Sequence, residues 1–172
     1  MTKILYLHGF ASSANSTKAN LIKAFIKKNA KSTQILIPDL DNDIESAYYQ
    51  IDLIIKKESP SSIIGSSLGG FYATYFSDKY DLQCVNINPA VPPIDMSEYL
   101  GENQNYSTGE KFNVTKEDIK FLRSLVVKKF NNQKNTLVLL ESGDEVLNYI
   151  ETAKYFKGSN IDITYGGSHT YE

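Results

Sequence analysis

The chain of 172 residues lacks tryptophan and holds one cysteine, one arginine and two histidines. Each scarcity excludes something. With Cys84 alone, neither an internal disulfide nor a cysteine metal cluster can form, and its place in the apolar run LQCVNINP reads as a packed strand thiol rather than a nucleophile. No basic block or stripe is present and the net charge is -2, so there is no electrostatic reason to bind nucleic acid or an anionic membrane. The opening residues MTKILYLHGF carry an apolar run too short for a signal peptide or a membrane span, and a cytoplasmic location is expected. Arg123, the lone arginine, leaves little capacity for bidentate phosphate recognition.

What is present suits one α/β domain over residues 1–172, since 41% apolar and 22% charged residues support a substantial core. Six short runs rich in Ile, Val and Leu read as strands: KILYL, QILIP, SSIIGS, QCVNI, NTLVLL and IDITY. Most lack polar alternation, as strands do when both faces of a parallel sheet are covered. Helical spacing fills the gaps. In TKANLIKAFIKK the residues Leu21, Ile22, Phe25 and Ile26 share a face opposite lysines, and DIESAYYQIDLIIKKE and TKEDIKFLRSLVVKKF behave similarly, the last opening on Thr115 as a candidate cap. Strands alternating with helices indicate a mainly parallel α/β sheet flanked by helices. The polar segment Pro92 to Asn113 breaks the rhythm; within it, residues 95–113 read as a small lid or an irregular loop near the carboxyl edge of the sheet.

Between the strand SSII and the helix-like LGGFYATYFSDKY, Gly65 and Gly69 bracket Ser67. G-x-S-x-G in that context is the nucleophile elbow, a turn so tight that side chains two positions either side of the serine would collide. The alternative is a glycine-rich turn with an incidental serine. A serine hydroxyl needs a histidine base and an acid to orient it. In the chain order serine, acid, histidine, only His169 in YGGSHTYE follows the elbow, although alone it would read as an exposed residue near a chain end. Asp144, just after Ser142 and Gly143, is the expected acid; Glu141 and Glu145 are its alternatives, and a helix cap before EVLNYIETAKYF is its structural role. The turn His8-Gly9-Phe10 ends the first strand, so the amides of Phe10 and Leu68 are the expected oxyanion donors. Gly9 then permits close backbone approach, and His8 braces the turn.

With these residues in this order the chain resembles the α/β-hydrolases, and more narrowly the small YqiA-type esterases. The similar segments are ILYLHGFASSANSTKA, GSSLGGFYATY, NINPAVPP, YLGENQNYSTGEKF, GDEVLNY and GGSHTY. The resemblance implies a minimal hydrolase without a large cap domain, acting on short acyl esters or acyl thioesters, and supports Ser67, Asp144 and His169 as its triad. Related chains continue past the histidine into a final helix, whereas this sequence stops at Glu172. The expectation is a chain either shortened there or covering that sheet face by self-association as a homo-oligomer.

The chemistry expected is acyl transfer through Ser67 to a small ester, with no metal or organic cofactor. A binding module on the same scaffold, weak in catalysis, is the rival reading. A nucleotide-binding doubly wound domain fits the alternation but lacks G-x-G-x-x-G after the first strand and a Walker lysine pattern.

Overall fold

The apolar runs pair into one six-stranded parallel sheet in the computed structural model, which describes residues 2–91 and 96–171. Its strands are β1 (Thr2–Leu7), β2 (Thr33–Leu36), β3 (Ser62–Ser67), β4 (Gln83–Pro89), β7 (Thr136–Glu141) and β8 (Asn160–Thr164), in spatial order β2-β1-β3-β4-β7-β8. The chain runs outward from β1 to β2, then returns to place β3 on the other side of β1. A crevice therefore opens beyond the carboxyl ends of β1 and β3, where the winding direction reverses. The two turns singled out in the sequence, His8-Gly9-Phe10 and Gly65-Ser66-Ser67, end these two strands.

Five helices flank the sheet: α1 (Thr17–Asn29), α2 (Ile44–Glu58), α3 (Leu68–Tyr80), α4 (Lys116–Ser124) and α5 (Tyr149–Tyr155). None among the described residues is long and apolar enough to cross a membrane. Leu5, Ile63, Cys84 and Val138 of the sheet share one buried core cluster with Ala73 and Phe76 of α3. The Cys84 thiol faces this core and donates to the Ala73 carbonyl at 3.8 Å; burial pushes it up to about 12, an unreactive state. Helix α1 behaves differently from its apolar spacing. It packs along the edge strand β2, so Ala19 is buried while Leu21 and Phe25 are 66% and 64% exposed.

Three stretches depart from the expected elements. The helix expected to run on to Phe130 stops at Ser124, after a capping box between Thr115 and Asp118 starts it. Tertiary anchors take the next residues: the Val127 carbonyl accepts the Tyr155 hydroxyl at 2.7 Å, Phe130 packs on Phe156, and Asp78 accepts the Asn131 and Asn132 amides. The helix expected after Asp144 starts only at Tyr149, capped by Asn148. Within the polar segment, residues 92–95 lie outside the described residues. The remainder forms a 3₁₀ turn at Met96–Tyr99 and an antiparallel hairpin of β5 (Gly101–Gln104) and β6 (Lys111–Val114) rather than an irregular loop.

The elbow needs both bracketing glycines for a reason visible in the backbone. A Cβ at Gly65 would lie 2.2 Å from the Gly69 carbonyl oxygen, and one at Gly69 would lie 2.2 Å from the Leu7 carbonyl oxygen. Helix α3, which begins at the elbow, is locked to α2 by Asp52. This carboxylate, 12% exposed, accepts Lys56 at 2.5 Å, Lys79 at 2.8 Å and the Tyr80 hydroxyl at 2.7 Å. Burial alone would raise its pKa, but the three donors outweigh that and hold it well below the usual carboxylate range.

Two outcomes are expected. Gly65→Ala places a methyl against backbone that cannot yield, and a loss of about 1–3 kcal/mol or more is expected in urea unfolding. For Asp52 the folded pKa is depressed, so its stabilisation is complete above the unfolded value of about 3.9 and is lost as pH falls below it. Asp52→Asn should therefore cost about 1–3 kcal/mol at pH 7 and flatten the decline of stability below pH 4, both read by denaturant titration.

Candidate active site

Ser67 ends β3 at φ 54° and ψ -120°, a left-handed backbone that a serine adopts only when its surroundings enforce it. The pairing of β3 with β4 slips by one residue at Ser66/Ser67, and the Ala90 amide donates to the Ser67 carbonyl at 3.0 Å, which pins the turn from the β4 side. The serine makes no side-chain cap for α3. Its hydroxyl instead lies 2.9 Å from His169 Nε2.

His169 Nδ1 lies 2.9 Å from Asp144 Oδ2. The Asp144 side chain is 2% exposed and its other oxygen accepts the Val146 and Leu147 amides at 2.9 and 2.7 Å. The helix-cap role set against the histidine contact in the sequence falls to Asn148, and the second oxygen of Asp144 instead holds the turn that follows it. With the carboxylate an acceptor only, the Nδ1 nitrogen carries the proton and Nε2 accepts from the Ser67 hydroxyl.

The two alternative acids occupy other posts on the same loop. Glu141, buried in β7, accepts the Ser168 amide at 2.8 Å, and Glu145 accepts the His169 amide at 3.0 Å. The latter bond lowers the Glu145 pKa. Gly167 is required here: at φ 73° it packs so closely on Glu141 that a Cβ would lie 2.2 Å from the carboxyl carbon. Sequence reasoning missed two further holders of this loop. Asn88, 2% exposed at the end of β4, donates to the Ser168 and His169 carbonyls at 3.1 and 3.3 Å while its own oxygen accepts the Glu141 amide at 3.0 Å. Lys18 reaches from α1 to the Thr170 carbonyl; burial lowers its pKa against the pull of Glu141 and Asp144. An asparagine within an apolar strand run was the available signal for the first.

Across the crevice, Gly9 packs against the elbow, where a Cβ would lie 3.3 Å from Ser67 Cβ. Phe10 and Leu68 both line the cavity beside Ser67 and His169. The Leu68 amide belongs to the first turn of α3, where N–H groups have no carbonyl partner within the helix. His8 is buried, with Nδ1 donating to the Gly9 carbonyl at 2.9 Å and Nε2 accepting the Leu40 amide at 3.0 Å. Burial lowers its pKa, and both nitrogens are spent on backbone. The cavity itself measures about 800 Å³ and is walled mainly by apolar and aromatic side chains, among them Phe10, Leu21, Met96, Tyr99 and Val146.

Solved structures share this architecture. Est1E from Butyrivibrio proteoclasticus, determined with ferulic acid bound, is 13% identical with a TM-score of 0.71, over 100% of this chain and 82% of that one. Alpha/beta hydrolase domain-containing protein 10 from mouse is 15% identical with a TM-score of 0.73, over 98% and 82%. The monoacylglycerol lipase of Paleococcus ferrophilus is 13% identical with a TM-score of 0.69, over 97% and 85%. At these identities the likeness establishes the fold, which is that of the α/β-hydrolases. The model of one family, described as the uncharacterised protein family UPF0227, matches residues 3–172, and the chain belongs to that family.

Proposed function

We propose that the chain is a serine hydrolase of small carboxylic esters. The observation that carries this reading is the relay Ser67 Oγ, His169 Nε2, His169 Nδ1, Asp144 Oδ2, with both contacts at 2.9 Å and the serine opening on a cavity of about 800 Å³. His169 takes the Ser67 proton as the hydroxyl attacks the ester carbonyl, and the amides of Phe10 and Leu68 receive the oxyanion. The protonated imidazole, stabilised by Asp144, then gives its proton to the departing alcohol. Water repeats the cycle on the acyl-enzyme and releases the acid.

The walls support apolar acyl groups of modest size. Aromatic side chains at Phe10, Tyr99 and Tyr106 add aryl acids to the class, in line with the ferulic acid held by Est1E. Acyl-CoA thioesters rank lower because Lys18, the one lysine or arginine among the described residues of the cavity lining, already serves the Thr170 carbonyl.

Ser67→Ala should abolish hydrolysis of a short p-nitrophenyl ester and labelling by a fluorophosphonate while the fold persists in circular dichroism. Absence of labelling in the unaltered protein would sink the reading in favour of a binding module. Asp144→Asn should lower kcat by on the order of 10³–10⁴ with little change in KM, because the imidazole loses its orienting partner. Matched short-chain esters and thioesters should differ in kcat/KM in favour of the ester, and a clear reversal would change the substrate class.

A further inference from the structure

The hairpin β5–β6 lies where a lid would be expected, yet its tip is bound down rather than free. It is attached to the turn that carries the candidate oxyanion donor Phe10. The Tyr106 amide donates to the Ala11 carbonyl at 2.8 Å, and Asn105 Nδ2 donates to the Ser12 carbonyl at 2.9 Å. Between these and β1, the Phe10 ring is held by Tyr99 and Phe112, with centroids 5.1 and 5.5 Å away.

Asn105 is built into this attachment. It is 3% exposed and uses its full hydrogen-bonding capacity: Nδ2 donates also to Asn42 Oδ1 at 2.8 Å, and Oδ1 accepts the Ser107 and Thr108 amides at 2.9 and 3.0 Å. Asn42 in turn donates to Glu110 Oε2 at 2.9 Å, tying the far side of the tip to the segment before α2. The turn so gripped is strained. Ala11 stands at φ 51°, a conformation that a residue with a Cβ holds only when its surroundings enforce it. The hairpin bonds to the carbonyls of this residue and the next one.

We propose that the hairpin is a fixed clamp on the oxyanion turn, with Asn105 as the positioning residue that holds the Phe10 amide in place, rather than a lid over the cavity. This rests on the ester-hydrolase reading above. Oxyanion stabilisation depends on donors that are already in place when charge develops, so a slack turn between Gly9 and Ser12 would weaken the transition state more than substrate binding. A lid would affect entry and release instead.

The deciding variant is Asn105→Asp, which keeps the two accepted amide bonds that shape the hairpin tip but replaces the donor Nδ2 with one carboxylate oxygen that faces both the Ser12 carbonyl and Asn42 Oδ1. Expected is at least about a tenfold faster exchange of the Tyr106 amide, which the Ala11 carbonyl holds, with residues 165–171 unchanged. In p-nitrophenyl ester hydrolysis, kcat should fall about tenfold or more with KM within about twofold, and affinity for a trifluoromethyl ketone should fall by the same factor as kcat/KM. Unchanged exchange of the Tyr106 amide in the folded variant would overturn the clamp, as would an undiminished kcat or a change confined to KM. If Asn105→Asp unfolds, Phe112→Leu, which removes only the ring support, is read in the same three ways. A wild-type protein without Ser67-dependent turnover would refute the hydrolase reading, and the exchange of the Tyr106 amide would then decide the clamp by itself.

Discussion

The backbone contact between Gly65, Gly69 and the end of β1 is the constraint on which the rest of the site depends. Ser67 stands in a left-handed conformation that costs of order 1–3 kcal/mol, and it stays there because strand β3, helix α3 and strand β1 meet with no room for a Cβ at either bracketing position. That closeness brings the Gly9-Phe10 turn against Ser67 and sets Leu68 at the open start of α3. Helix α3 cannot drift, since Asp52, Lys79 and Tyr80 fix it to α2 and its core face is buried against the sheet. The geometry at Ser67 is therefore a property of the whole sheet, not of its loop.

The other half of the site is assembled from the far edge. His169 lies on a loop after β8, and a loop near a chain end is ordinarily the most mobile part of a domain. Here three carboxylates and one amide side chain divide it among themselves: Asp144 takes the imidazole, Glu141 and Glu145 take backbone amides, and Asn88 takes the carbonyls. Burying Glu141 is costly unless it is well paired, and the Ser168 amide supplies that pairing. The same residue that blocks a side chain at Gly167 therefore also steadies the neighbouring histidine. On the opposite rim the hairpin is bonded to the turn after β1, so both loops that meet at Ser67 are tethered by buried polar side chains.

Much of this was legible in the chain. The six strands of the sheet follow from short β-branched runs, because a strand covered on both faces needs apolar residues continuously and helices between parallel strands need a spacing of three and four. The elbow serine was legible because glycine at both flanking positions has a steric meaning independent of tertiary context. His169 could be named by elimination, with only two histidines present, and Asp144 by its place after the penultimate strand. The limits of α4 and α5 were not legible, since propensity favours helix through Phe130 while contacts to Asp78 and Tyr155 draw the chain elsewhere. Leu21 and Phe25 had the spacing of a buried stripe, yet a helix on an edge strand buries only a narrow strip.

Local chemistry and periodicity thus determined the strands, the elbow and the identity of the residues that meet there, because each depends on sterics or spacing within a few positions. Only the tertiary structure decided that, with Asp144 on the imidazole, Glu141 and Glu145 hold backbone instead, and that the polar segment folds into a hairpin bound to the turn after β1. Those outcomes rest on contacts between residues 24 or more positions apart, such as His169 with Asp144 and Asn105 with Ser12. The closeness of such distant residues is set by the winding of the sheet, and no pattern within a single segment encodes it.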